Sequence, residues 1–113
     1  MPSKINPLRL NALQLKTLTL LQELTRHPEA GEATEDGGFR INRIPRAHGD
    51  HFHIGAAAVR AADATGLSNE IVWKALERKE LARALYPLSI TLTAAGLAYD
   101  TGLRDKILHG TDH

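Results

Sequence analysis

AADATGLSNEIVWKALERKELA, residues 61–82, decides how the rest of the chain is read. Its alanine-rich opening gives way at Thr65, Gly66, Leu67 and Ser68 to an amphipathic segment. Ser68 suits a helix N-cap, because its hydroxyl can accept a backbone N–H that the first turn leaves free. Leu67 before it and Val72 four positions after it have the spacing of a hydrophobic staple. At a helical pitch Ile71, Val72, Ala75 and Leu76 share one face, while Glu70, Lys74 and Glu77 share the opposite one. Trp73, the only tryptophan, falls at the margin between the two. The alanines upstream predict a first helix from about residue 56, since Ala favours helices and is depleted from strands. FHIGAAAVRA, residues 52–61, as a strand that pairs with FRINRI, residues 39–44, is the alternative reading, which leaves open whether residues 55–64 are helix or strand.

Working outward, LRLNALQLKTLTLLQELTR at residues 8–26 reads as a long helix that opens after Asn6 and Pro7 and stops at His27 and Pro28. Leu10, Leu13, Leu20, Leu21 and Leu24 gather on one face, with Leu8, Leu15 and Leu18 beside it. This stripe is wider than one small core needs. The helix is therefore either sandwiched within the fold or meets a second subunit, which makes a homodimer the expected assembly. Residues 29–37 hold four acids and no base, whereas residues 38–60 hold four arginines against Asp50 alone. The first stretch is expected to be an acidic, flexible loop over residues 29–38. RALYPLSITLT at residues 83–93 predicts a hairpin turning at Tyr86 and Pro87. A closing helix follows, capped by Thr93 and anchored by Leu97, Leu103, Ile107 and Leu108, with a frayed tail over residues 109–113.

The chain has 113 residues, enough for a single domain over residues 1–113. Aromatics are only 4%, so the core must be built from aliphatic side chains and alanine. There is no cysteine, which excludes disulfides, thiolate metal sites and cysteine nucleophiles. No apolar run is long enough for a membrane span, and MPSKINPLRL lacks the apolar middle of a signal peptide, so a cytoplasmic protein is the default. The 14 Lys and Arg against 13 Asp and Glu fall short of the strongly basic balance of a dedicated nucleic-acid binder.

Residues 56–98 resemble the winged helix-turn-helix superfamily, in particular regulators like the multiple-antibiotic-resistance repressors. The likeness rests on small Ala62, on Gly66, which permits a left-handed turn between two helices, on Val72 and Ala75 as core anchors, and on Leu92, Thr93 and Gly96, which match a Leu-Thr-x-x-Gly step into the last helix. The resemblance implies that the second helix enters the DNA major groove and the hairpin acts as a wing. Carried onto this chain, the DNA-contacting candidates are Ser68, Asn69, Trp73, Lys74 and Arg78 on the helix and Arg83 on the wing. Glu70 and Glu77 share the helix face and depart from the expected positive charge.

RAHGDHFHIG, residues 46–55, raises a separate possibility. His48, Asp50 and His51 match part of the His-x-His-x-Asp-His motif of the metallo-β-lactamase superfamily, but Arg46 stands where the first ligand belongs and the chain is far too short for that fold. A local site is a different proposition. In an extended stretch His51 and His53 point to one side, and His48 and Asp50 could close over them around zinc or nickel. The plain alternative is a solvated polar strand edge, and Arg40, Arg43 and Arg46 could join it as an arm for phosphate.

The sequence therefore predicts an α+β fold, a small winged helix-turn-helix domain that is mainly helical, with short antiparallel strands and a long N-terminal helix. The leading function is a non-catalytic, DNA-binding transcriptional regulator whose partners are duplex DNA and a second copy of itself. One alternative is a winged-helix protein-interaction module using Trp73 and the Leu8, Leu15 and Leu18 face. The other is a metal-dependent sensor or enzyme built on His48, Asp50, His51 and His53.

Overall fold

A computed structural model describes residues 6–45, 50–54 and 57–110. Its first helix, α1, spans Ala12–Leu24. It starts four residues later than expected because the Asn6 side chain clasps Leu10, accepting its N–H at 2.8 Å and donating to its carbonyl at 2.7 Å. This local bond offers the backbone an alternative to helix. Asn11 then provides the cap, in a reciprocal box with Gln14. Leu18, Leu20 and Leu21 are wholly buried and Leu24 nearly so. The two leucine groups are thus both used inside one chain, and the wide stripe is that of a sandwiched helix. On one side α1 meets α2 (Glu70–Arg78); on the other it meets α3 (Ala94–Ala98) and α4 (Arg104–Ile107). The Gln22 amide donates to the Gly96 and Tyr99 carbonyls, and the Thr19 and Thr101 hydroxyls bond at 2.6 Å in the interior. The apolar surplus that suggested a second subunit is covered by these contacts; Leu15 is half-buried and Leu8 remains 36% exposed.

Residues 29–38, expected as a loop, instead hold a short 3-10 turn, strand β1 (Gly31–Ala33) and the turn into β2 (Phe39–Ile41). Gly37, with φ 88°, and the Thr34 hydroxyl, which accepts the Gly38 N–H, close that turn. Two further strands precede α2: β3 (His51–Ile54) and β4 (Ala57–Arg60). After α2 come β5 (Ala82–Leu85), β6 (Ser89–Leu92) and, after α4, β7 (His109–Gly110). All pairings are antiparallel, giving sheets of order β1-β2-β6-β5 and β3-β4-β7.

Over residues 57–60 the expected helix is not formed, and neither is the alternative pairing with residues 39–44. The segment pairs with the histidine strand instead, with Phe52 opposite Val59. Val59 is fully buried and Ile54 nearly so, and the burial of these two residues plus a hydrogen-bonded ladder outweighs the modest helix preference of Ala57 and Ala58. Residues 61–63 and 65–68 are 3-10 turns, so the helical share of the α+β fold is smaller than predicted. The predicted closing helix is broken into α3 and α4 at Gly102, whose φ is 72°. Residues 109–110 of the expected frayed tail pair with β4; residues 111–113 lie outside the described residues.

Gly66 has a different reason to be glycine than the one expected. It shows no left-handed φ; a Cβ there would stand 1.8 Å from the Thr17 hydroxyl and 3.1 Å from its Cβ. Its lack of a side chain lets the 3-10 turn lie directly on α1. Gly66→Ala is expected to cost about 1–3 kcal/mol by overpacking, with part recovered in the Gly66→Ala/Thr17→Ala double variant. Urea unfolding of the four species measures this, and a neutral Gly66→Ala would refute the close approach.

Candidate binding face

Helix α2 is anchored by Val72, Trp73, Ala75 and Leu76, all buried. Its cap is Asn69, whose side chain accepts the Ile71 N–H at 3.0 Å. Neighbouring Ser68, the expected cap, is exposed, and its carbonyl accepts a bond from the Tyr86 hydroxyl at 2.8 Å. That bond holds the β5–β6 turn, in which the Tyr86–Pro87 peptide is cis, beside the start of α2. Tyr86 also meets Trp73 edge to face, with ring centroids 4.8 Å apart. Helix start and hairpin tip therefore form one continuous face.

Trp73 does not lie on that face. Only 1% exposed, it belongs to the core, which corrects its expected place at the helix margin. The marginal position is taken up because the Tyr86 ring packs edge-on against the indole. Its indole N–H has no hydrogen-bond partner among the described residues, an arrangement that ordinarily costs about 1–3 kcal/mol.

The cations expected on the face are largely engaged. Lys74 lies 3.6 Å from Glu70, one turn away. Arg83 is on the solvent side of β5, where it pairs with Asp36 at 2.7 Å, while its neighbours Ala82 and Ala84 turn inward. Arg40 is bonded to Glu32 across the β1–β2 pair. Arg78, exposed in the last turn of α2, is the remaining candidate. Of the six residues carried over as DNA contacts, Ser68, Asn69, Lys74 and Arg78 come together along α2; Trp73 and Arg83 do not join them.

What the sequence reading overlooked is apolar. Ile71 is 76% exposed in the first turn of α2, Leu85 62% at the end of β5, and Leu88 69% in the hairpin turn. Ile71 had been assigned to the buried face because it adjoins Val72. The signal for Leu88 was available: a leucine between Pro87 and Ser89 in a hairpin turn has no core to enter.

The histidine segment is only partly described, with Arg46 and His48 outside the described residues. Asp50 and His51 are exposed and their side chains meet at 2.6 Å. His53 is exposed on the same side of β3, and Arg60 stands opposite His51 on β4. Among the described residues no three His, Asp or Glu side chains converge to a shell for an ion. None of the described helices is long and apolar enough to cross a membrane. Compared with known protein families, curated proteins and solved structures, the chain finds no match.

One group on the sheet has a displaced ionisation. The Thr34 hydroxyl, 2.5 Å from Asp36, and then the Arg83 guanidinium hold the Asp36 carboxyl at about 2, below its ordinary 3.8. Since the folded value is the lower one, whatever this clasp contributes is complete above the ordinary carboxylate range and is lost as pH falls through about 2. Carboxylate NMR should find the Asp36 midpoint at about 2, moving up towards 3.8 in Arg83→Gln. A midpoint unmoved by that substitution would mean the guanidinium does not hold Asp36.

Proposed function

We propose that this chain is a winged-helix module that binds another protein, without catalysis, through the face formed by the start of α2 and the β5–β6 turn. The winged-helix reading is supported by connectivity. Helix α2 runs into β5, the chain turns and returns as β6, and β2 pairs alongside to give the order β2-β6-β5 within the larger sheet. The module departs from the DNA-reading pattern where two 3-10 turns replace the first helix of the helix-turn-helix.

The observation that carries the choice of partner is the exposure of Ile71, in the first turn of α2, and of Leu88, in the β5–β6 turn. Large aliphatic side chains in this setting add contact area to a protein surface, whereas affinity for duplex DNA is dominated by unpaired cations near phosphates. Here Lys74 has Glu70, Arg83 has Asp36, and Glu77 adds a further negative charge to α2. Site-specific photocrosslinking in the native host is the direct test. A crosslinker at position 71 should yield one discrete protein adduct, lost in Leu88→Asp, while one at position 33 on β1 yields none. In parallel, labelled mixed-sequence duplex DNA should show no saturable anisotropy change at low salt. Saturable, salt-sensitive DNA binding that Arg78→Glu abolishes would replace the protein reading with the regulator reading.

A further inference from the structure

Asp36–Gly37 is the only place in the chain where an Asp or Asn precedes glycine. The glycine is dictated by the fold: it stands at φ 88° in the turn between β1 and β2, a left-handed conformation that residues with a side chain rarely adopt. A methyl group there would meet only the Ala94 side chain at 3.6 Å, so space is not the constraint. The same glycine makes the dipeptide chemically weak. With no side chain to shield it, the Gly37 nitrogen is open to attack the Asp36 side-chain carboxyl. A bond forms from that nitrogen to Asp36 Cγ, one carboxyl oxygen leaves as water, and a five-membered succinimide ring results. Water then reopens the ring. Where it cleaves the bond between the Gly37 nitrogen and the Asp36 main-chain carbonyl carbon, the chain continues through the side chain as isoaspartate. One water is lost and one regained, and no oxidant, reductant or other reactant takes part.

In the folded chain both oxygens of that carboxyl are held. Oδ1 accepts the Thr34 hydroxyl at 2.5 Å, and Oδ2 accepts the Arg83 guanidinium at 2.7 Å. Whichever oxygen leaves as water, one of these bonds has to break first. The Gly37 N–H donates to the Thr34 carbonyl, 3.4 Å away, so the attacking atom is engaged as well. Ring closure also draws on the neutral carboxylic acid, because water leaves more readily than oxide, whereas the guanidinium favours the ionised form. We infer that Asp36–Gly37 is a site of spontaneous isoaspartate formation, and that the clasp of Arg83 and Thr34 on Asp36 is what slows it in the folded protein. The lowered ionisation of Asp36 agrees with this role, since it keeps the reactive acid form scarce. Isomerisation lengthens the main chain of the turn by one carbon and moves the carboxylate onto Cα, so Arg83 loses its partner. None of this depends on what the α2 face binds.

Ageing the full chain in warm, mildly acidic buffer for several weeks provides the test, with isoaspartate at position 36 read by peptide mapping and by enzymatic methylation of the isoaspartyl carboxylate. The species compared are folded wild type, wild type unfolded in guanidinium chloride, Arg83→Gln, Arg40→Gln and Asp36→Glu. The unfolded chain, its carboxyl unclasped, should isomerise roughly tenfold or more faster than the folded one. Arg83→Gln removes the charged partner and leaves the Thr34 bond, so it should age roughly threefold to tenfold faster than folded wild type. Arg40→Gln breaks the pair with Glu32 in the same hairpin without touching the clasp, and should age at the wild-type rate. Asp36→Glu, whose longer side chain would have to close a larger ring, should give no signal. Arg83 is exposed, so its substitution leaves the fold intact, and the comparison of folded with unfolded wild type needs no variant at all. Folded and unfolded wild type ageing at one rate, or Arg83→Gln ageing no faster than Arg40→Gln, would overturn the inference.

Discussion

The Leu81 carbonyl oxygen is the point on which the architecture turns. It accepts the Thr93 N–H at 3.0 Å, and a side chain on Gly96 would stand only 2.0 Å from it. The Thr93 hydroxyl at the same time donates to the Glu80 carbonyl at 2.8 Å and accepts the Gly96 N–H at 3.0 Å. One residue thus ties the end of α2 to the start of α3, with Glu80 in a left-handed conformation (φ 63°) to make the turn. Everything between the tied points, the β5–β6 hairpin, is thereby a closed loop whose base is fixed. Its tip position then follows from strand length and from the Tyr86 hydroxyl bond to Ser68. Loosening Thr93 or adding a methyl group at Gly96 would shift the tip relative to α2, and with it the exposed face.

On the main sheet charge is arranged to cancel locally. Along one row of the main sheet Glu32 faces Arg40, Arg40 faces Thr91, and Thr91 faces Arg83, with Asp36 reaching over to Arg83. The acidic hairpin of β1 and β2 is therefore the counterweight to the arginines of the sheet. Exposed pairs of this kind contribute little stability each, but each offsets the field of the arginine it holds. A nucleic-acid surface needs the reverse, cations held apart from carboxylates and lined up with phosphates. Arg43, on the β2–β3 connection past Ile41, the last paired residue of β2, stands outside this row.

The parts of the fold that could be read from sequence are those set by neighbours within a few residues. The Thr93 cap, the Tyr86 and Pro87 turn, and the anchors Val72, Ala75 and Leu76 all rest on local geometry and appear as expected. Errors arise where a distant partner decides. Residues 57–60 carry the composition of a helix and become a strand because residues 51–54 and 109–110 supply ladders on both sides. Trp73 looks marginal on a helical wheel and is buried because a residue 13 positions later covers it. Arg83 looks like a wing cation and is paired with a carboxylate 47 positions earlier. The choice of Asn69 over Ser68 as cap differs in kind: two adjacent residues compete for one role, and composition alone does not rank them.

The exposed leucines on β5 and its turn raise the question of whether the edge strand, and not its side chains, is what a partner meets. Strand β5 is the outer member of the sheet, and open edges invite a further strand. Three features oppose that use. The strand is only four residues long, it is followed at once by the Tyr86–Pro87 turn, and it carries Arg83 within its length. Short length, charge and proline are the devices by which natural edges resist pairing. The α2 helix also packs against this strand, so a chain approaching the edge would have to pass it. Ile71 and Leu88, on segments outside the ladder, are not protected in this way. The partner proposed above would therefore meet the side chains of α2 and the hairpin turn, not the open edge of β5, on a surface whose hairpin base is tied by Thr93.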